Sequence, residues 1–464
     1  MKRFLRCIKV FVCVLLCTLS CIGFTACNSG RKTEYTEASS VISEAESIPE
    51  ETVSQAADVS KTPEASKTEA ASSEPAAGSA AQSSASSQGV SEPQQSKSEA
   101  SVSKPPISVS SKSSEKRAVW ISFLEYQKIL KGKTEKEFRN SICEYFDKCA
   151  EYGLNTVIVH ARSHGDAYYK SAYFPSSVNF TESRQNAFPF DPLKITVEEA
   201  HKRGLKIEAW VNPYRGNNTS DSFATDDPVA KWLGTDKVFK WGKREANSEY
   251  YYFNPGEPEV RELIIRGVIE IVDNYDIDGI HFDDYFYPTA DASVDTASFQ
   301  KYGGGRTFKC FRTECVNGLV SSVYKEIKAR KNITFGISPS GNIDNCINKS
   351  FADVKLWGSK EGYVDYLMPQ LYWDYGQGTL PFETALSNWK ETVTNPKVKL
   401  AVGLAAYRLV DTPSEFWSSG DILKRQVEDS RKITDFSGFS IFRYEDFFSD
   451  RLKKERNNLK RILG

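Results

Sequence analysis

The sequence carries almost no net charge. Its formal balance is −1 at pH 7, so no overall field favours nucleic acid. It has no CxxC pair, which removes the usual cysteine spacing of a zinc site. No GxGxxG follows the first strand-like run, so the fingerprint of a dinucleotide fold is missing. Large apolar residues are scarce between about residues 29 and 114, where Ser, Ala, Glu, Lys, Pro and Gln dominate. Such a stretch buries too little to offset the entropy of ordering, and it reads as a flexible spacer without chemistry of its own. Cysteine is thin past the N-terminus: five of the ten (Cys7, Cys13, Cys17, Cys21, Cys27) lie in the first segment, leaving Cys143, Cys149, Cys310, Cys315 and Cys346. An odd number argues against a complete disulfide framework and for single buried thiols, with one Cys310–Cys315 or Cys143–Cys149 bridge left open.

What is present begins with MKRFLRCIKVFVCVLLCTLSCIGFTACNSG. Lys2, Arg3, Arg6 and Lys9 make a basic start, and an apolar run and small residues follow. This order is that of a secretory signal. Phe24-Thr25-Ala26-Cys27 resembles a bacterial lipoprotein box with Cys27 as the lipidated residue, and Cys21, after Leu19-Ser20, is a second candidate. The expected organisation is a signal over residues 1–26, a Ser/Ala/Glu-rich linker over 27–115 and a folded domain over 116–464. The folded part is then expected outside the cytoplasm, lipid-anchored on the outer face of the cytoplasmic membrane.

From Arg117 onward, β-rich runs alternate with amphipathic helical runs. The strand candidates are 117–123 (RAVWISF), 155–162 (NTVIVHAR), 206–213 (KIEAWVNP), 278–285 (DGIHFDDY), 333–341 (ITFGISPSG), 364–373 (VDYLMPQLYW), 399–407 (KLAVGLAAY) and 438–445 (GFSIFRYE). Strands apolar on both faces and separated by helices imply a parallel sheet. Eight such units predict an α/β fold of the (β/α)8 TIM-barrel type, with a doubly wound open sheet as the alternative.

Barrels of this kind keep their chemistry at the C-terminal strand ends, and here those ends are polar and aromatic. They hold Glu125 and Tyr126; His160, Arg162, His164 and Asp166; and Asn212, Tyr214 and Arg215. The fourth holds Asp283, Asp284 and Tyr285, and the fifth Ser338 and Ser340. The last three hold Gln370, Tyr372, Trp373 and Asp374; Tyr407 and Arg408; and Arg443, Glu445 and Asp446. Aromatics are 12% of the chain and few lie in its first quarter, so the rings gather in the folded part. Polar groups among flat apolar faces suit a sugar, whose hydroxyls are hydrogen-bonded while its C–H faces stack on rings.

The ordered motifs RAVWIS, GLNTVIVHAR with GDAYYKS, AHKRGLKIEAWVNPYR, YFNPGEPEVRELI, YDIDGIHFDDYFYP, FGISPSGN and DYLMPQLYW resemble the bacterial glycosyl-hydrolase-like 10 family over nearly all of Arg117 to Glu445. The resemblance implies a TIM barrel that hydrolyses glycosidic bonds, in one lipoprotein member those of peptidoglycan strands stripped of stem peptides. The chain departs from that pattern at Ser163, where a proline would follow Arg162, and at Asp374.

Alternation along the fourth strand puts His281, Asp283 and Tyr285 on one face and turns Ile280 and Phe282 to the helices. Glycoside hydrolysis generally needs one ionised and one protonated carboxyl. Asp283 is the expected principal carboxylate, with Asp284 as its partner or as a sugar-positioning group. Directly adjacent residues seldom flank one bond from both sides, so Asp374 is the first candidate for the acid, then Glu445 and Glu125. The expected sugar contacts are His160, Arg162, Asp166, Asn212, Arg215, His281, Tyr285, Gln370, Tyr372, Trp373 and Glu445. Trp210 and Phe335 read as core, Asp278 as a brace of the turn into its strand, and Asn254-Pro255 with Glu257 and Glu259 as a turn into a helix. His160 and His164 make only two possible ligands, so no metal or other cofactor is expected. The expected partners are a glycan substrate and the membrane, not nucleic acid. A non-catalytic glycan-binding lipoprotein needs the rings but not the paired carboxylates, and a metal-dependent deacetylase wants a fuller His/Asp set.

Overall fold

The computed structural model describes residues 114–463 apart from 181–188, 220–221, 225, 243–248, 377 and 412–418. The signal segment, Cys21, Cys27 and all but the end of the linker lie outside the described residues. Eleven strands are described: β1 (Lys116–Ile121), β2 (Thr156–Arg162), β3 (Lys206–Val211), β4 (Arg215–Asn218), β5 (Val238–Trp241), β6 (Tyr250–Phe253), β7 (Gly279–Phe282), β8 (Thr334–Ile337), β9 (Tyr366–Leu367), β10 (Lys399–Ala405) and β11 (Phe436–Phe442). Eight of them close into a barrel in the order β1-β2-β3-β7-β8-β9-β10-β11, each pair parallel. Each falls within or beside one of the eight runs read from the sequence, so the (β/α)8 expectation holds and the open sheet does not.

The differences have local causes. The sixth run pairs as a strand only over Tyr366–Leu367, because Pro369 offers no N–H to a ladder; beyond it Gln370 keeps isolated bridges to Ser340 and Gly403. Glu125 and Tyr126 sit not on a strand end but in a short helix, Phe123–Ile129, opened by a capping box between Ser122 and Glu125. Between β3 and β7 the chain leaves the barrel and forms an antiparallel sheet, β4-β6-β5, which the sequence reading did not anticipate.

The helices form where local chemistry starts and stops them. Glu135–Glu151 begins with a Thr134/Glu137 capping box and is followed by Gly153 at φ 77°, the left-handed turn that glycine makes without strain. Pro192, Pro228 and Pro258 occupy first-turn positions, where a missing N–H costs nothing. Asn254 accepts from the Gly256 N–H at 2.9 Å ahead of the Pro258–Asn274 helix, so the Asn254–Glu259 segment is a helix entry as read. Asp278 accepts from the Ile207 N–H at 2.8 Å and contacts His201 Nε2 at 3.0 Å, bracing the strand floor.

Two apolar cores result. One lies between sheet and helices and contains Ile280, Phe282 and Phe335. The other fills the barrel with Ala118, Trp120, Ile158, Trp210, Tyr366, Met368 and Ala401. Gly336 is required inside: a Cβ there would lie 1.9 Å from the Tyr366 ring. At the floor, Arg431 bonds Glu115 through Nε and Nη2 at 2.8 Å each and the Ile462 carbonyl through Nη1 at 3.0 Å. Arg117 donates to the Leu463 carbonyl, so both ends of the domain are latched together. The five described cysteines are free thiols; neither proposed bridge forms, and Cys310 is exposed rather than buried. Among the described residues no helix is long and apolar enough to cross a membrane.

Candidate active site at the strand exits

The pleat of β7 sends His281 and Asp283 into the barrel. Asp283 stands just beyond Phe282 and is 3% exposed. Its Oδ2 accepts from Trp210 Nε1 at 3.0 Å and its Oδ1 from the Tyr285 N–H at 3.1 Å. Burial, then the charge of Asp284, pushes its carboxyl well above the usual carboxylate range, against the opposing pull of the Tyr285 and Trp210 hydrogen bonds and of Arg215. Asp284 is half-buried and accepts from Gln370 Nε2 at 3.2 Å. The same amide donates to the Ser338 carbonyl at 3.1 Å, tying the fourth, fifth and sixth strand exits together.

Behind Asp283, the Trp210 ring stacks on His160 at a centroid distance of 3.4 Å. His160 Nδ1 accepts from the Phe123 N–H at 3.0 Å, which assigns the proton to Nε2, 3.5 Å from Asn212 Oδ1. Burial drives its pKa well below the usual value, so this imidazole is neutral. The register between β2 and β3 shifts between His160 and Arg162, a strand irregularity of the kind that re-aims side chains at a site.

Below Asp283 runs a second chain of contacts. Trp120 Nε1 donates to His281 Nε2 at 3.3 Å, and His281 Nδ1 meets the Tyr366 hydroxyl at 2.7 Å. That hydroxyl donates to Glu208, which also accepts from Lys116 and, at 3.1 Å, from Thr334 Oγ1. The donor order places the His281 proton on Nδ1, and burial lowers its pKa to about 3. Trp120, Tyr366 and Glu208 were not among the residues singled out from the sequence; Trp210, read as core, does pack in the barrel core and also bonds Asp283. The signal that could have found Glu208 is a carboxylate in mid-strand on β3, two residues before Trp210 on the same face.

Several expected sugar contacts are bonded within the fold. His281 is wholly buried, with both ring nitrogens engaged, and does not reach the cleft. Arg162, 2% exposed, donates to the carbonyls of His164, Asn212 and Pro213 and lies over the Phe174 ring. Asp166 is also 2% exposed and accepts from the His164 N–H. The candidate acids have partners within the fold. Asp374 closes a turn by accepting from the Gly376 N–H at 2.9 Å. Glu125 is buried in its capping box and bonds Arg443 at 2.7 Å. Burial pushes the Glu445 carboxyl up, but Lys128 and Arg443 outweigh it and hold the group ionised below the usual range. Asn212 donates to the Ser163 carbonyl at 2.9 Å. Trp373 packs partly buried against the core. Tyr372 stacks on Phe442, which meets Trp120 edge-on, making a wall of rings on one side. Arg215, buried, lies 4.4 Å from the Tyr250 ring and 4.7 Å from the Tyr285 ring.

The sequence profile of the glycosyl hydrolase-like 10 family matches residues 115–418. This chain belongs to that family. The glycosyl hydrolase YngK of Bacillus subtilis is 34% identical over 357 residues, which span 72% of this chain and 68% of that protein. The glycosyl hydrolase DigH of Escherichia coli is 29% identical over 343 residues, spanning 67% and 76%. Among solved structures, the PgaB (BpsB) glycoside hydrolase domain of Bordetella bronchiseptica aligns over 74% of this chain and 99% of that one, at 13% identity and a TM-score of 0.46. As a member of the glycosyl hydrolase-like 10 family the chain is a glycoside hydrolase, with a glycan as its substrate. Among its described residues no three His, Cys, Asp or Glu side chains converge as metal ligands would.

Proposed function

We propose that this family member is an exported, lipid-anchored hydrolase of cell-wall glycan, acting on peptidoglycan-like strands that lack stem peptides. Its parts would be the signal over residues 1–26, lipidation at Cys27, the spacer over 27–115 and the barrel over 116–464. Asp283 is the proton donor to the leaving oxygen, and Asp284 the ionised carboxylate that steadies positive charge at the sugar's anomeric carbon. The observation that carries this is the Asp283 environment: a carboxyl sealed beneath the strand exits, beside a second carboxylate, with its protonated form favoured. Gln370 holds Asp284 through its side-chain amide.

The test is incubation of the purified protein, and of its Asp283→Asn variant, with peptidoglycan strands stripped of stem peptides, with products read by mass spectrometry. New reducing ends from the unaltered protein alone support the reading. Equal product from both removes Asp283 from the chemistry. Retained binding of the strands without product points to a glycan-binding module instead. Neither product nor binding means that the polymer is a different one.

A further inference from the structure

The added sheet has two faces with different neighbours. Alternation along β6 turns Tyr250 toward the His164 ring, on which it stacks at 5.6 Å, and turns Phe253 the other way. There Phe253 meets Trp232 edge-on at 6.0 Å, and Trp232 lines a cavity of about 320 Å³. Ligand sites run from about 300 to 1,000 Å³, so this one is of the size for a small group. Its walls come from three parts of the chain: Tyr173 and Phe174 in the loop after β2, Asp226, Lys231 and Trp232 around the short helix Pro228–Trp232, and Leu263 on the helix Pro258–Asn274. None of these residues belongs to a strand exit.

The walls are set in advance. Phe174 is buried against Gly267, where a Cβ would come within 2.5 Å of its ring, and the Arg162 guanidinium lies 4.6 Å from its centroid. Asp227 accepts from the Val229 N–H at 2.8 Å and from Asn217 Nδ2 at 2.7 Å, which ties the short helix to β4. The groups left open are of two kinds. Tyr173 and Trp232 are half-buried rings, and Leu233 beside them is 42% exposed. Among the described residues neither the Trp232 indole N–H nor the Tyr173 hydroxyl has a hydrogen-bond partner. Asp226 and Lys231 form an exposed pair 3.4 Å apart, so the rim offers an acceptor and a donor without net charge. A sugar ring uses all of these: its C–H face lies on an aromatic ring, and its hydroxyls both donate and accept. An apolar peptide would leave the indole, the phenol and the ion pair without partners.

We infer that the cavity lined by Tyr173 and Trp232 is a second glycan site, which takes an uncharged part of a sugar strand and holds it away from the catalytic cleft. This rests on the glycan substrate of the chain and not on which polymer that is. A strand held there stays near the cleft between cuts, so the site lowers KM for long strands and leaves the chemistry alone.

The experiment measures kcat and KM on long strands stripped of stem peptides and on short fragments of the same strands. Tyr173→Ala and Asp226→Ala alter the cavity at groups that are at least partly exposed, so the fold should survive both. Each is expected to raise KM for the long strands about three- to tenfold, the range of one aromatic contact, with kcat and the short fragments unchanged. An unchanged KM for long strands, or an equal rise on long and short, overturns the proposal. Tryptophan fluorescence reads the cavity without turnover, by titration with short oligosaccharides of N-acetylglucosamine, of glucose and of xylose. At least one series should quench the unaltered protein, and Trp232→Phe should remove part of that quenching. If the stripped strands are not cleaved, the reading of that polymer as substrate falls, while the fluorescence still decides the cavity: quenching that depends on Trp232 upholds the site, and quenching that is absent or the same in Trp232→Phe overturns it.

Discussion

Acidification from pH 7 to pH 5 should destabilise the domain through a histidine that never meets solvent. His281 is wholly buried, bonded on both ring nitrogens, and has a pKa of about 3. An unfolded histidine titrates near 6.5. Because the folded value lies below the unfolded one, the stabilisation is complete above about pH 6.5 and is lost as pH falls toward 3. At pH 5 the unfolded chain has taken up its proton and the folded one has not, a difference of about 2 kcal/mol for this single group. His281→Gln isolates it, since an amide can still accept from Trp120 Nε1 and donate to the Tyr366 hydroxyl. His160 and Asp283 also respond to pH, but they remain in both proteins and cancel. Urea unfolding at pH 7 and at pH 5 should show the unaltered protein losing about 2 kcal/mol more than His281→Gln, or ~3 °C in Tm for a domain of this size. Parallel losses in the two proteins would refute the buried, neutral assignment.

Asp283→Asn should reduce glycan cleavage to background and raise the urea midpoint at pH 7, because a carboxyl whose folded pKa is raised destabilises the fold once the pH favours ionisation; a lowered midpoint would contradict the pKa direction. Trp210→Phe removes a hydrogen bond that favours ionised Asp283, so the alkaline limb of the kcat/KM profile should move to higher pH, and a downward move would count against Asp283 as the acid. Lys116→Met leaves Glu208, whose side chain is 3% exposed, without its cation and should cost about 3–5 kcal/mol in a denaturation curve. Adding Glu208→Gln should recover much of that loss, and no recovery would mean that Lys116 acts by packing rather than by charge.

The barrel was legible because its strands are apolar on both faces and alternate with helical runs, and several are soon followed by Asn, Asp or Pro, signals that sit within a few residues of one another. The added sheet was not, since RGNN at β4 carries no strand pattern and pairs with Tyr250–Phe253 only through the folded chain. The placement of Asp283 followed from two-residue alternation. The commitments of Glu125, Glu445 and Asp374 did not, because Arg443 reaches Glu125 across 318 positions of sequence and nothing local announces that partner. Arg162 shows the same gap from the other side: an arginine at a strand exit looks like a ligand contact until the carbonyls of Asn212 and Pro213 fold over it.

The latch at the barrel floor also governs how the domain would carry mechanical load. The chain enters the domain at Glu115, on the face opposite the strand exits. A pull along it passes first through the Glu115–Arg431 contact and then into β1, which is paired with a parallel neighbour on each side. Force along that line shears two ladders at once instead of peeling one bond after another. The barrel would thus resist being drawn open by a pull on its first strand.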